Sequence, residues 1–210
     1  MKRKDTITII VLITCGILFL AGTLAINPLF PVEETFIPID FGEMPTLSNS
    51  REGTIPGAPV TVEAYIDYQC PHCGGLVQVL ERIMTVYGRN VNVIIRHFPQ
   101  YEDSMIAAQG VECARLQGTF WGYHRTLHEH PDKLKAPNLI IYADQLGLDT
   151  KEFTACIEEG STIPEIMTDK GLAEERLVTG TPTVFINGWE IEGLKTFGDY
   201  KEKIDLVMRS

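Results

Sequence analysis

Cys70 and Cys73 stand in the run Cys70-Pro71-His72-Cys73, a spacing at which two thiols can close a small disulfide or rest as a dithiol. They follow an apolar run, Val60–Tyr68, that reads as a β-strand, and they open a run, Leu76–Tyr87, that reads as a helix. A CxxC between a strand and a helix points to redox chemistry. A thiol at a helix N-terminus sits in the positive end of the peptide dipoles, which favours thiolate. His72 between the two cysteines adds a second donor or positive charge. Both effects lower the pKa of Cys70 and stabilise the reduced form, and a couple with a stabilised reduced form is an oxidant. The competing readings are a structural disulfide or half of a zinc site. Zinc needs a second ligand pair of similar spacing. Cys15, Cys113 and Cys156 are isolated, and the cluster His124, His128, His130 has no cysteine pair beside it. No metal is expected.

The elements that must position the pair follow from the pattern of apolar residues. Val60–Asp67 reads as a strand. Leu76, Val79, Leu80 and Ile83 form a helical stripe that Gly88 ends in the manner of a left-handed cap. Val91–His97 reads as a second strand; the helix between the two makes them parallel neighbours. From Ser104 to about Leu177 the pattern is helical, with breaks near Gly118, Pro131, Pro137, Gly147, Gly160 and Pro164. Asp149-Thr150-Lys151-Glu152 and Ser161–Glu165 look like helix starts. Thr183–Asn187 reads as a strand, Asn187-Gly188 as a hairpin turn and Trp189–Glu192 as its partner. Phe197–Met208 closes the chain as an amphipathic helix. The order βαβ, helical insert, ββα is a thioredoxin-like α/β arrangement. Thr181-Pro182 stands just before the third strand, where proline is tolerated.

Length and charge narrow the role. The 210 residues suffice for one domain plus an appendage, and 44% are hydrophobic. A net charge of −10, with no basic patch, argues against nucleic acid as a partner. The N-terminus differs in kind. A basic flank, residues 1–5, precedes an uncharged run, Thr6–Ile26, about as long as a helix that spans a bilayer. The basic side stays in the cytoplasm, which sends the remainder outside. An uncleaved single-pass signal anchor is the expectation; cleavage after Ala25, or before Cys15 as in a lipoprotein, are the alternatives. All three place the CxxC in an oxidising compartment. Residues 27–58 read as a linker, with Thr35–Phe41 as a candidate edge strand, and residues 59–210 as the catalytic domain, with its helical insert at about 102–177.

These motifs resemble the DsbA-like disulfide oxidoreductases. Cys-Pro-His-Cys after an apolar strand is similar to that family's active site. Thr-Pro-Thr-Val-Phe-Ile-Asn-Gly, from Thr181 to Gly188, is similar to its cis-proline loop and hairpin. The run from Cys113 to His124 resembles part of its helical insert. The resemblance spans Pro59 to the C-terminus, and the anchor and linker look like the form bacteria tether to the cytoplasmic membrane. It implies that Cys70 is the exposed nucleophile and Cys73 the buried resolving thiol. His72 would stabilise the Cys70 thiolate, and Pro71 would shape the turn. Thr181 and Pro182 would bind substrate backbone, with Pro182 cis. One departure matters. The family's buried acid, six residues before the first cysteine, is Ala64 here. Glu63 is adjacent but should face the other way by strand alternation, so it is not assigned a catalytic role.

Cys113 and Cys156 are left over in the insert. In an exported protein such a pair suggests a structural disulfide, and some relatives carry one here; two buried, unreactive thiols are the alternative. Cys15 is read as membrane packing. His124, His128 and His130 are expected on one helix, at the surface or partly buried, and His97 is expected to pack. The activity implied is extracytoplasmic oxidation of cysteine pairs in exported proteins, without a cofactor. Reoxidation would come from a membrane quinone reductase of the DsbB or VKOR type. The rivals are an isomerase or reductase of the same fold, which Thr181 before the proline also fits, and a chaperone or copper metallochaperone.

Overall fold

The computed structural model describes residue 55 and residues 57–210. The basic flank, the run Thr6–Ile26, Cys15, the candidate strand Thr35–Phe41 and all but the end of the linker lie outside the described residues. Among the described residues no helix is long and apolar enough to cross a membrane.

Four strands form one mixed sheet in the order β2-β1-β3-β4. They are β1 (Val60–Ile66), β2 (Val91–His97), β3 (Thr183–Ile186) and β4 (Trp189–Glu192). β1 runs parallel to β2 and antiparallel to β3, with Ala64 opposite both Ile95 and Val184. Every residue of β1 except Thr61 is buried, as a central strand covered on both faces requires. The hairpin turns at Asn187 and Gly188, both at positive φ (45° and 86°), the backbone an Asn-Gly turn supplies. Asn187 also ties down the start of β1. Its side chain accepts from the Thr61 N–H at 2.7 Å and donates to the Pro59 carbonyl at 3.0 Å.

Helix α1 (Cys73–Tyr87) crosses between β1 and β2, burying Leu76, Leu80 and Ile83. It starts at Cys73, one turn before the apolar stripe. Gly74 and Gly75 are poor helix formers but fit a close approach. A Cβ on Gly74 would lie 3.4 Å from the His128 carbonyl, and one on Gly75 2.7 Å from the Leu194 side chain. Gly88 ends the helix at φ 52° and ψ −124°, outside the left-handed helical region expected of it, and continues into a 3-10 turn.

Five helices occupy the insert: α2 (Ser104–Leu116), α3 (Phe120–Glu129), α4 (Ala136–Gln145), α5 (Thr150–Glu159) and α6 (Ile163–Glu175). The breaks expected near Pro137 and Pro164 are present just before each proline. Each sits in a first turn, where the missing N–H costs nothing. Asp149 caps α5 by accepting from the Lys151 and Glu152 N–H groups, and Gly160 closes it in the left-handed conformation. The last helix, α7 (Phe197–Val207), opens with a capping box between Thr196 and Asp199. The insert is bound to the sheet through buried charge. Glu63 pairs with Arg96 (2.8 Å) and Arg176, and Asp169 of α6 accepts from Arg96 (3.2 Å) and from the His97 N–H (3.0 Å).

Candidate active site

The site lies where β1 hands the chain to α1. The Cys70 N–H donates to the Asp67 carbonyl (3.2 Å) and the Cys73 N–H to the Cys70 carbonyl (3.1 Å), so two consecutive turns lead into the helix. His72 is the N-cap residue and makes no capping bond with its side chain. Cys73, the first residue of α1, is fully buried; Cys70, expected to be exposed, is buried too, with 4% of its surface accessible. Both are thiols here. The Thr181–Pro182 peptide bond is cis. It brings the Thr181 carbonyl to 3.2 Å from the Cys70 sulfur, which donates to it.

The two sulfurs are electrostatically unequal. The thiol of Cys73, directed at Cys70, is the largest influence pulling the Cys70 pKa down to about 5. Burial opposes it, and the Thr181 side chain and the backbone N–H groups of His72 and Cys73 assist. Cys73 is pushed the other way, above the usual thiol range, first because its proton is held by Cys70 and then by burial. An anion is favoured at the outer sulfur and refused at the inner one. The His72 contribution is its backbone N–H; its ring is exposed, which departs from the role expected for the imidazole. Pro71 is exposed beside it, and Pro182 is buried behind Thr181.

Ala64 is fully buried on the central strand. Glu63 faces away from it into the pairs with Arg96 and Arg176, so no carboxylate from β1 takes the position the family's acid would occupy. Asp67 was not singled out by sequence. It is 1% exposed, and its carboxylate accepts from the Gln69 N–H (2.7 Å), the Gln100 N–H (2.6 Å) and the Ser104 hydroxyl (2.6 Å). The signal was present: an Asp at a strand end, two residues before an N–H it can bind, is an Asx turn.

Cys113 and Cys156 are bonded to each other, joining α2 to α5 within the insert. His124 departs from the expected surface or partly buried place and His130 from the expected helix, whereas His128 is partly buried on α3 as expected. His124 is fully buried because the Tyr68 hydroxyl binds its Nδ1 at 3.0 Å and Phe120 stacks on its ring at 5.7 Å. His128 packs on Tyr68 with ring centres 4.8 Å apart. His130 lies one residue past α3 and stacks on Tyr142. Burial holds His124 well below the usual imidazole range, and burial with nearby His97 pushes His128 down to about 3. His97 packs as expected and also binds Glu112 at 2.8 Å. Among the described residues no three His, Cys, Asp or Glu side chains are arranged to hold a metal ion.

Comparison with known proteins gives the same architecture. A thioredoxin-like oxidoreductase from Silicibacter pomeroyi superposes with a TM-score of 0.68 at 24% identity, covering 78% of this chain and 96% of that one. The thiol-disulfide exchange protein alpha-DsbA2 of Wolbachia pipientis superposes with a TM-score of 0.66 at 18% identity, covering 72% and 83%. In sequence the chain is similar to part of a Na(+)/H(+) antiporter NhaA 3 from Salinispora tropica, 35% identical over 134 residues. That match covers 62% of this chain and 20% of the antiporter, so the chain spans about a fifth of the length of the curated relatives it matches. The family model described as Thioredoxin matches residues 55–206. With that match, and with a thioredoxin-like sheet interrupted by a helical insertion, the chain belongs to the thioredoxin family.

Proposed function

We propose that this protein is a thiol:disulfide oxidoreductase that introduces disulfides into exported proteins through Cys70 and Cys73. The observation that carries the reading is the inequality of the two thiols beside the Thr181–Pro182 loop, with Cys70 held to about 5 and Cys73 driven upward. In the oxidised state a substrate thiolate attacks Cys70 Sγ. The Cys70–Cys73 bond breaks, and Cys73 leaves as a thiolate that takes up a proton. The second substrate thiolate then attacks the substrate sulfur of the mixed disulfide, and Cys70 departs as its stabilised anion. Two electrons move from the substrate pair into the protein pair. A good leaving thiolate at Cys70 makes the second step fast. The Thr181 carbonyl, already an acceptor at 3.2 Å, lies where an extended substrate segment would pair with it.

The N-terminal run supports a catalytic domain held outside the cytoplasmic membrane, with a quinone reductase of the DsbB or VKOR type as electron acceptor. The antiporter relative, a longer chain named for sodium–proton exchange, is consistent with work near a membrane. The test is the reduction potential of Cys70–Cys73 against glutathione buffers. A value well above thioredoxin's, about −270 mV, supports a disulfide donor; a value at or below it refutes the oxidase direction and points to a reductase. Cys73→Ala separates the chaperone reading, because holding a substrate survives that change and dithiol oxidation does not.

A further inference from the structure

Three segments far apart in the chain meet in one set of hydrogen bonds beside Cys70; its link through the Cys70 S–H belongs to the thiol form alone, and the other three do not depend on the state of the sulfur. The Cys70 thiol donates to the Thr181 carbonyl (3.2 Å), and the Thr181 hydroxyl donates to Gln100 Oε1 (3.4 Å). The Gln100 N–H donates to Asp67 Oδ2 (2.6 Å), and the Cys70 N–H returns to the Asp67 carbonyl (3.2 Å). The other carboxylate oxygen, Asp67 Oδ1, takes the Gln69 N–H and the Ser104 hydroxyl. Gln69 in turn accepts from the Asp103 N–H at 2.7 Å. A carboxylate this deeply buried is costly unless its oxygens are bonded. One oxygen here bonds the exposed Gln100, and the other bonds the half-buried Gln69 and the buried Ser104.

We propose that Asp67 is a positioning residue for thiol–disulfide exchange, locking Cys70 in register with the Thr181–Pro182 loop through Gln100. A substrate strand lying along Thr181 then presents its sulfur in line with the Cys70–Cys73 bond. The proposal rests on the exchange reading of the same site. Displacement at sulfur needs the three sulfur atoms close to collinear, so a small shift between the substrate-binding loop and Cys70 costs rate without altering the thiol itself. The carboxylate suits the task because every group facing it is a donor. An amide at that place would turn an N–H toward either Gln100 or the Gln69–Ser104 pair, and one side of the clamp would open.

The experiment compares Asp67→Asn and Gln100→Ala with wild type in the full-length chain, in mild detergent, below the unfolding midpoint of each. One rate is oxidation of a two-cysteine peptide by the disulfide form. The other is alkylation of Cys70 by iodoacetamide in the reduced form at pH 7, where a thiol held to about 5 is ionised and no binding groove is needed. The expected result is a peptide rate about tenfold lower in Asp67→Asn and about threefold lower in Gln100→Ala, with alkylation within about twofold of wild type in both. Peptide rates within about twofold of wild type, or alkylation falling in step with them, overturn the proposal. If Asp67→Asn does not fold, Gln100→Ala decides, since it keeps the Gln100 N–H on Asp67 and cuts only the link to Thr181. A wild-type chain that alkylates at Cys70 but oxidises no peptide refutes the exchange reading instead.

Discussion

Replacing Cys73 with Ala tests the electrostatics at their largest single source. The thiol of Cys73 is the leading reason that Cys70 falls from an ordinary value of 9.0 to about 5. That fall is larger than a single hydrogen bond supplies. A hydrogen bond to a charged group contributes about 1.5–3 kcal/mol, or about 1–2 pKa units. Cys73→Ala should therefore titrate at about 6–7, while Cys73→Ser, which keeps a donor, should stay near 5. At pH 5.5 the thiolate fraction would drop from about three quarters to about a tenth. The assay is thiolate absorbance near 240 nm against pH, checked by the pH dependence of alkylation. A Cys73→Ala chain that still titrates near 5 would refute the reasoning and assign the shift to the backbone N–H groups of α1. The same shift sets the pH dependence of stability in the reduced state. A depressed pKa contributes fully above the unfolded value near 9, in part at pH 7, and nothing once pH falls below about 5. The reduced protein should therefore lose this advantage on acidification between pH 9 and pH 5.

Three further outcomes are expected. Replacing Cys113 and Cys156 together with Ala opens a loop of 43 residues and should lower urea stability by about 4 kcal/mol; a loss under about 1 kcal/mol would mean the bond does little for the fold. Because His124 and His128 are held neutral by burial, folded pKa values below the unfolded one should cost stability as pH falls from about 6.5 toward 3, by up to about 1.4 kcal/mol per pH unit for each ring. The double change to Phe should flatten the urea midpoint between pH 6.5 and 4. Glu63→Gln should cost about 2–3 kcal/mol, less than the about 3–5 kcal/mol of a wholly buried pair because the Arg176 side chain stays 41% exposed. It should leave the Cys70 titration in place, and a shift there would give Glu63 the catalytic part denied to it.

The elements that build the site were legible because each is written in local chemistry. The CxxC between an apolar strand and an apolar stripe, the Asn187-Gly188 turn and the Asp149 cap depend on residues within a few positions of one another. Alternation along β1 was enough to send Glu63 and Ala64 to opposite faces. What sequence could not supply were contacts across long separations. His124 reads as a surface or partly buried residue, and it is Tyr68, 56 positions earlier, that helps bury it fully. α1 starts at Cys73, through two glycines that local propensity counts against a helix but that leave room for His128 and Leu194. The clamp at Asp67 joins positions 67, 100 and 181, and no periodicity connects them. The residue types and their spacing thus determined that this protein carries a redox-capable pair on a thioredoxin-like frame. The tertiary structure decided which sulfur is the anion, because thiol ionisation answers to burial and to the donors within a few ångströms, and those are set by the fold rather than by neighbours in the chain.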